Sequence, residues 1–114
     1  MMKDKRTDRQ YLLDIIDAID SINDFLKGKS RDEFEKSYLL QSAVIRQFEI
    51  IGEAASKITE PTMMSSAVNW QDVIGMRHKM IHDYFEVSID VTWDTAANDL
   101  AGLKAQIEKI LSEL

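Results

Sequence analysis

The sequence is informative first through what it lacks. Its 114 residues include no cysteine, one proline and four glycines. The absence of cysteine excludes disulfide bonds and thiolate chemistry and fits a reducing compartment, so we expect a cytoplasmic protein. The scarcity of proline and glycine leaves long uninterrupted stretches, which favours helices. No apolar run approaches the roughly 20 residues that a membrane span needs, and no apolar segment follows the charged N-terminus, so we expect neither a membrane association nor a signal peptide.

Basic side chains are also in the minority. The chain has 14 Lys and Arg against 20 Asp and Glu, which gives a net charge of −6. Broad charge-driven binding of nucleic acid needs many Lys or Arg on phosphates, so this balance argues against it and we expect no DNA binding. A small RNA site with a local basic cluster remains compatible with it. The length and a hydrophobic fraction of 45% are those of one globular domain, which we expect to cover residues 1–114.

Hydrophobic periodicity predicts four long helices and one short helix. They cover residues 8–27, 31–35, 36–58, 70–84 and, from a cap at Asp90 or Thr92, the stretch through Leu111. In each long segment the apolar side chains recur every three or four positions, and in residues 36–58 they form two adjacent stripes, which indicates a helix packed on more than one side. The sequence therefore predicts an all-α, up-and-down four-helix bundle with one short extra helix.

Capping residues support several of these boundaries. Gly28 is expected to end the first helix in the left-handed conformation that glycine favours. Ser30 and Glu33 have the spacing of a capping box, which starts the short helix. Pro61 is expected to stop the third helix, and Asn69 can cap the fourth.

One polar cluster differs from the solvated faces of the helices. It consists of Arg77, His78, Lys79, His82, Asp83 and Tyr84, lies at the end of a predicted helix and includes both histidines of the chain. On an ideal helix, Arg77 and Tyr84 share one face, and His78 and His82 share the neighbouring face. A histidine can take or give a proton near neutral pH, and an arginine fits phosphate oxygens as a fork. These groups suit cleavage of RNA without metal, although a solvated arginine with two surface histidines is the simpler interpretation of spacing alone.

Other chemistries fit the cluster less well. His78 and His82 have the spacing of a zinc pair, but a zinc peptidase needs Glu where this chain has Lys79. There is no third histidine and no cysteine, so no metal site is expected. The sequence also has no Walker loop, no Rossmann glycines and no serine nucleophile elbow, so no cofactor is expected.

The run from Gly75 to Tyr84, GMRHKMIHDY, resembles the RX4HXY signature of HepT-like proteins in the HEPN superfamily. Arg46 followed by Phe-Glu-Ile-Ile-Gly-Glu-Ala looks like a second landmark of the family, and Trp70 and Trp93 fall in similar places. The resemblance covers nearly the whole chain. It implies a HEPN-like helical bundle that dimerises and brings two motifs to one cleft.

The resemblance also implies an activity and partners. It makes Arg77 and His82 the catalytic pair of a metal-independent endoribonuclease, with RNA as substrate and tRNA as one candidate. HepT-like toxins are typically encoded beside a minimal nucleotidyltransferase antitoxin of the MntA type, which transfers AMP to the motif tyrosine, here Tyr84. We expect a homodimeric toxin of a toxin–antitoxin pair, with His78 and Glu53 as candidate supporting residues.

Two other functions stay open from the residues alone. The chain is alternatively a non-catalytic subunit that presents substrate or nucleotide to a nucleotidyltransferase, or a purely structural helical dimer. Glu53 and Arg46 lie seven positions apart on the third predicted helix, and a structural ion pair is as good an interpretation as a role in orienting Arg77 or His82. Tyr84 is alternatively an ordinary amphipathic residue at the end of a helix.

Overall fold

A computed structural model of the protein describes residues 6–82 and 86–114, with His82 described by its backbone only. In chain order the elements are α1 (Asp8–Leu26), α2 (Arg31–Lys36), α3 (Tyr38–Ser56), α4 (Glu60–Met64), α5 (Trp70–Ile74), α6 (Met76–Met80), β1 (Ile81–His82), β2 (Glu86–Val87), α7 (Ile89–Asn98) and α8 (Leu100–Glu113). The four predicted long helices correspond to α1, to α3, to α5 together with α6, and to α7 together with α8. The predicted short helix is α2.

Local capping sets the first boundaries. The Thr7 hydroxyl accepts from Gln10 N at 3.3 Å, and Thr7 N donates to Gln10 Oε1 at 2.8 Å, so two N–H groups at the start of α1 are satisfied. Gly28, at φ +73°, follows the end of α1 as predicted. The predicted Ser30–Glu33 capping box is present at the start of α2, with bonds of 3.1 and 3.0 Å.

The core lies mainly between α1 and α3, with α8 packed against α1. The apolar stripes of these helices face one another, as the periodicity predicts. The fully or almost fully buried side chains include Leu12, Ile15, Ile19 and Ile22 of α1, Val44, Phe48, Ile51 and Ala55 of α3, and Leu100, Leu103, Ile107 and Ile110 of α8. Each large side chain contributes about 1.5–3 kcal/mol by leaving water, so this layer holds the long helices together.

The helix that carries the motif is shorter than predicted. The prediction of a continuous helix from Trp70 to Tyr84 is wrong. The chain forms α5, breaks at Gly75, forms α6 and then continues as extended backbone from Ile81. Gly75 N donates to Gln71 O at 2.9 Å and closes α5. Ile81 has φ −116° and ψ 121°, and β1 pairs with β2 in antiparallel register, Ile81 with Val87 and His82 with Glu86. The strand pairing therefore replaces the last turn of the predicted helix.

Two further boundaries differ from the prediction. Neither Asp90 nor Thr92 caps the last long segment, because Ser88 accepts from Val91 N at 3.4 Å and α7 begins at Ile89. Pro61 does not end α3, which stops earlier at Ser56, and instead lies in the first turn of α4. A proline is tolerated there because the first N–H groups of a helix have no partner within the helix.

The fold class is confirmed as all-α, with one pair of two-residue strands in the part of the chain that the structure describes. Within the same residues, none of the helices combines the length and the apolar character that crossing a bilayer requires.

Asp8 joins the start of α1 to α4. One carboxylate oxygen accepts from Thr59 N at 3.0 Å, and the other accepts from the hydroxyls of Thr59 and Thr62, each at 2.5 Å. Partial burial of the carboxylate would raise its pKa, but the three hydrogen bonds outweigh burial, so the pKa of Asp8 lies below its ordinary value. The charged form is therefore the one that stabilises this junction.

We predict that Asp8→Asn lowers the free energy of unfolding by roughly 1 kcal/mol near neutral pH, the net contribution of one hydrogen bond. Because the pKa of the folded state is depressed, the stabilisation is present above the unfolded pKa and is lost as the pH falls through the folded pKa. Urea denaturation of both chains from about pH 7 to about pH 3 should therefore show a difference that shrinks with acidification. The exposed Asp17 of α1 supplies the control substitution Asp17→Asn, and an equal effect at both positions would contradict the prediction.

Candidate functional site

Arg77 is the second residue of α6, two positions after the break at Gly75. Its side chain is 50% exposed and extends toward α3. Gly75 both ends α5 and precedes α6, and His78 N donates to Gly75 O at 3.0 Å. The break therefore starts a new short helix that directs the guanidinium toward α3.

Among the residues that the structure describes, Arg77 forms an ion pair with Glu49 of α3. Arg77 Nε and Glu49 Oε2 lie 3.2 Å apart, and the Glu49 side chain is 35% exposed. A carboxylate at this distance compensates the guanidinium charge and limits the directions in which the long arginine side chain can point. Glu49 was not among the residues predicted for the site.

Arg77 and Glu49 form one end of an open groove between α3 and the α5–α6 break. The groove has a volume of about 280 Å³, and its lining consists of Glu49, Gly52, Glu53, Ser56, Ile74 and Arg77. Most of this lining is polar, in contrast to the core on the other side of α3. The groove is therefore a place where a charged ligand can approach Arg77 from solvent.

Gly52 sets the distance between the two walls of this groove. A Cβ atom at Gly52 would lie 3.0 Å from the carbonyl oxygen of Ile74 and 3.6 Å from that of Val73. Both obstacles are backbone atoms at the end of α5, so they cannot move aside as a flexible side chain would. The absence of a side chain at Gly52 therefore permits a close contact between α3 and the end of α5.

His82, the second predicted catalytic residue, lies on β1 and not on a helix. Its backbone pairs with Glu86, and its side chain lies outside the described part of the structure. The helical faces predicted to join Arg77 with Tyr84 and His78 with His82 are wrong, because α6 ends at Met80. Tyr84, the predicted site of modification, falls outside the described residues.

Two other members of the predicted cluster lie in the same short helix as Arg77. His78 and Lys79 are exposed on α6, and Lys79 Nζ lies 3.5 Å from Asp72 Oδ1. Together with Arg77 they are three consecutive basic residues of α6, of which Arg77 lines the groove. A local basic cluster of this kind is compatible with the acidic composition of the chain as a whole.

The predicted supporting residue Glu53 lines the groove but contacts a different cation. Glu53 Oε1 lies 3.9 Å from Lys57 Nζ, one turn along α3. Glu53 also lines a second small cavity, of about 200 Å³, together with Arg46 and Arg6. Glu53 and Arg46 therefore border the same surface, whereas Glu49 is the residue that contacts Arg77.

The family model described as ribonuclease HepT-like matches residues 15–110, a span that includes the groove, α6 and β1. The chain belongs to the ribonuclease HepT-like family. The resemblance seen in GMRHKMIHDY is confirmed by this match, and the all-α fold is the HEPN-like fold expected for HepT-like proteins.

Individual relatives agree with the HepT-like assignment. The chain is 37% identical over 107 residues to a Thermococcus cleftensis protein named "Probable ribonuclease HepT", covering 93% of this chain and 97% of that protein. It is 35% identical over 109 residues to a protein of Caldanaerobacter subterraneus subsp. tengcongensis provisionally named as an RNase, covering 95% of this chain and 97% of the relative.

One relative is about twice as long. The chain is 38% identical over 105 residues to a Methanocaldococcus jannaschii protein named for gamma-glutamylcyclotransferase and, provisionally, for RNase. The match covers 91% of this chain and 47% of that protein, so the chain spans about half of its length. No solved structure matches the chain.

The sequence of this HepT-like chain gives only a weak indication that Glu49 belongs to the site. It lies among the apolar residues Phe48, Ile50 and Ile51, where a charged side chain is uncommon. Glu53, one turn later, has the same signal, and periodicity does not distinguish them. The crossing position of α5 and α6 over α3 decides which carboxylate meets Arg77.

We predict that Gly52→Ala destabilises the protein by about 1–2 kcal/mol. The contact with the Ile74 carbonyl must open, which outweighs the roughly 1 kcal/mol that alanine gains over glycine inside a helix. Gly102 of α8 is the matched control, because a Cβ atom there meets nothing within 4 Å. Gly102→Ala should raise the free energy of unfolding by about 0.5–1 kcal/mol, and chemical denaturation measures both. A stabilising Gly52→Ala would show that the groove walls are not in tight contact.

Proposed function

We propose that the protein is a metal-independent endoribonuclease, the toxin of a toxin–antitoxin pair, with Arg77 and His82 as its catalytic residues. The observation on which the proposal rests is the half-exposed Arg77 guanidinium on an open polar groove, five residues before His82 in a HepT-like chain. The names of the relatives, which refer to ribonuclease, support the same activity.

The chemistry uses one histidine and one arginine. The 2′-hydroxyl of the RNA attacks the adjacent phosphorus and loses its proton to a base, while the bond from phosphorus to the 5′-oxygen breaks and that oxygen gains a proton. A histidine near neutral pH suits either proton transfer, and Arg77 stabilises the additional negative charge on the phosphate oxygens. The products are a 2′,3′-cyclic phosphate and a 5′-hydroxyl, and every proton is supplied by side chains or water.

A dimer resolves two difficulties of this scheme. His82 is the one histidine assigned to catalysis in each chain and cannot serve as base and acid in a single step, whereas two copies supply one for each transfer. Two copies of α6 also bring two sets of Arg77, His78 and Lys79 to one cleft, which concentrates positive charge on a protein of net charge −6. We therefore propose that the active form is a homodimer whose cleft is formed around the two motifs.

We also propose that Tyr84 is the site at which a partner nucleotidyltransferase of the MntA type neutralises the toxin. Tyr84 lies two residues after His82 in the motif. A transferred AMP adds negative charge and bulk beside the catalytic pair, and both oppose the approach of an RNA phosphate. The proposal rests on the HepT-like motif and on this electrostatic argument.

We predict that the purified protein cleaves RNA in the presence of EDTA and that Arg77→Ala and His82→Ala each lower the rate by about 100-fold or more. A substrate with a 2′-deoxy sugar at the cleaved position should resist cleavage, because it lacks the attacking hydroxyl. Gel analysis of end-labelled RNA and mass spectrometry of the products measure these effects.

Lys109→Ala, at an exposed position of α8, is the control, because it removes one positive charge, as Arg77→Ala does, and lies outside the motif. Retained folding of each variant is checked by circular dichroism. Equal cleavage by the parent and by His82→Ala would refute the assigned mechanism. Binding to a nucleotidyltransferase without RNA cleavage under any condition would instead favour the non-catalytic subunit.

We predict that co-expression with the neighbouring nucleotidyltransferase adds one or more adenylate masses to the parent and none to Tyr84→Phe. Intact-protein mass spectrometry measures the addition. Tyr11→Phe is the control, because Tyr11 lies on α1 outside the motif and should leave the addition unchanged. An adenylated Tyr84→Phe chain would exclude Tyr84 as the acceptor.

A further inference from the structure

We propose that Glu49 is the positioning residue for Arg77, holding the guanidinium in the orientation in which it meets the RNA phosphate. The inference rests on the proposed ribonuclease function. The observation behind it is the 3.2 Å contact between Glu49 Oε2 and Arg77 Nε across the groove. Glu49 does not itself need to touch the RNA.

Arg77 needs an external support because its own helix offers little. Helix α6 has five residues, between the break at Gly75 and the extended backbone of Ile81. An arginine side chain has many rotamers, and its freedom must be lost before a defined phosphate contact forms. A partner on a rigid element removes part of that freedom before the substrate arrives.

Glu49 is such a partner. It lies near the middle of the 19-residue α3, whose opposite face is buried in the core through Val44, Phe48 and Ile51. The contact of Gly52 with Ile74 O, one turn further along α3, fixes how closely the α5–α6 break approaches. Carboxylate and guanidinium are therefore attached to two walls whose separation is set by backbone contact.

The contact also has a useful orientation. Glu49 meets the guanidinium at Nε, on the side of the group nearest the chain. Phosphate oxygens are typically bound by two parallel N–H groups, and the terminal Nη groups extend furthest into the half-exposed groove. A carboxylate at Nε thus leaves the outer part of the fork directed at the substrate.

With this arrangement, removal of Glu49 is expected to affect turnover and not the binding of RNA. The negative charge of Glu49 repels an RNA phosphate, so its removal does not weaken ground-state binding. Loss of the fixed orientation, however, lowers the stabilisation of the transition state. A Glu49 that merely blocked Arg77 would have the opposite effect, because its removal would raise turnover.

The test compares Glu49→Gln with Glu108→Gln, at an exposed position of α8. Both substitutions remove one negative charge and keep the size of the side chain, but Glu108 lies on another helix and does not line the groove. We expect Glu49→Gln to lower kcat by about 10- to 100-fold with KM unchanged or lower, as for loss of a residue that orients a ligand-binding group. We expect Glu108→Gln to change kcat by less than about threefold.

A second arm uses Arg77→Lys, which keeps the charge and changes the geometry. If Glu49 acts through Arg77, Glu49→Gln should lower kcat much less in the Arg77→Lys chain than in the parent. Full multiplication of the two effects would show that Glu49 acts independently and would overturn the inference. Equal or raised turnover in Glu49→Gln alone would also overturn it.

A third arm does not depend on RNA cleavage. The NMR signal of the Arg77 Nε–H group, assigned through Arg77→Lys, should shift and exchange faster with solvent in Glu49→Gln but not in Glu108→Gln. An unchanged signal would overturn the inference whatever the chain does to RNA. A changed signal in a parent that cleaves no RNA would overturn the proposed function and leave the contact itself established.

Discussion

The close approach of α3 and the end of α5 is the constraint on which the groove depends. Gly52 lies where a side chain would meet the Ile74 carbonyl, and it occupies this position inside the long α3 despite a cost of about 1 kcal/mol relative to alanine. The polypeptide immediately after that contact breaks at Gly75 and presents Arg77. The distance from α3 at which the backbone presents Arg77 thus follows from this contact.

Features encoded by neighbouring residues were predictable from the sequence. The end of α1 at Gly28 and the Ser30–Glu33 capping box need only a few adjacent residues, and the structure confirms both. The end of α6 at Met80 was not predictable in the same way. It depends on pairing between β1 and β2, and the β-branched Ile81 and Val87 form a pair that periodicity over residues 70–84 does not register.

The residues of the site likewise fall into one that the sequence predicts and one that it does not. Arg77 follows from a linear motif, and the structure places it on an open groove. Its partner does not follow, because Glu49 and Glu53 are one turn apart on one helix and equally plausible in sequence. Their different contacts arise from where a separate segment crosses α3. A charge pair between distant segments is a tertiary property, whereas the spacing of Arg77 and His82 is a property of the sequence itself.

Helix α3 contributes to the core with one face and to the groove with the other. Phe48 and Ile51 are fully buried, whereas the neighbouring Glu49 and Glu53 face the groove. Loss of a polar groove side chain such as Glu49 therefore leaves the buried layer between α1 and α3 intact. Substitutions of these polar side chains that abolish activity are then expected to leave folded chains, so the abundance of a variant in the cell is no measure of its activity.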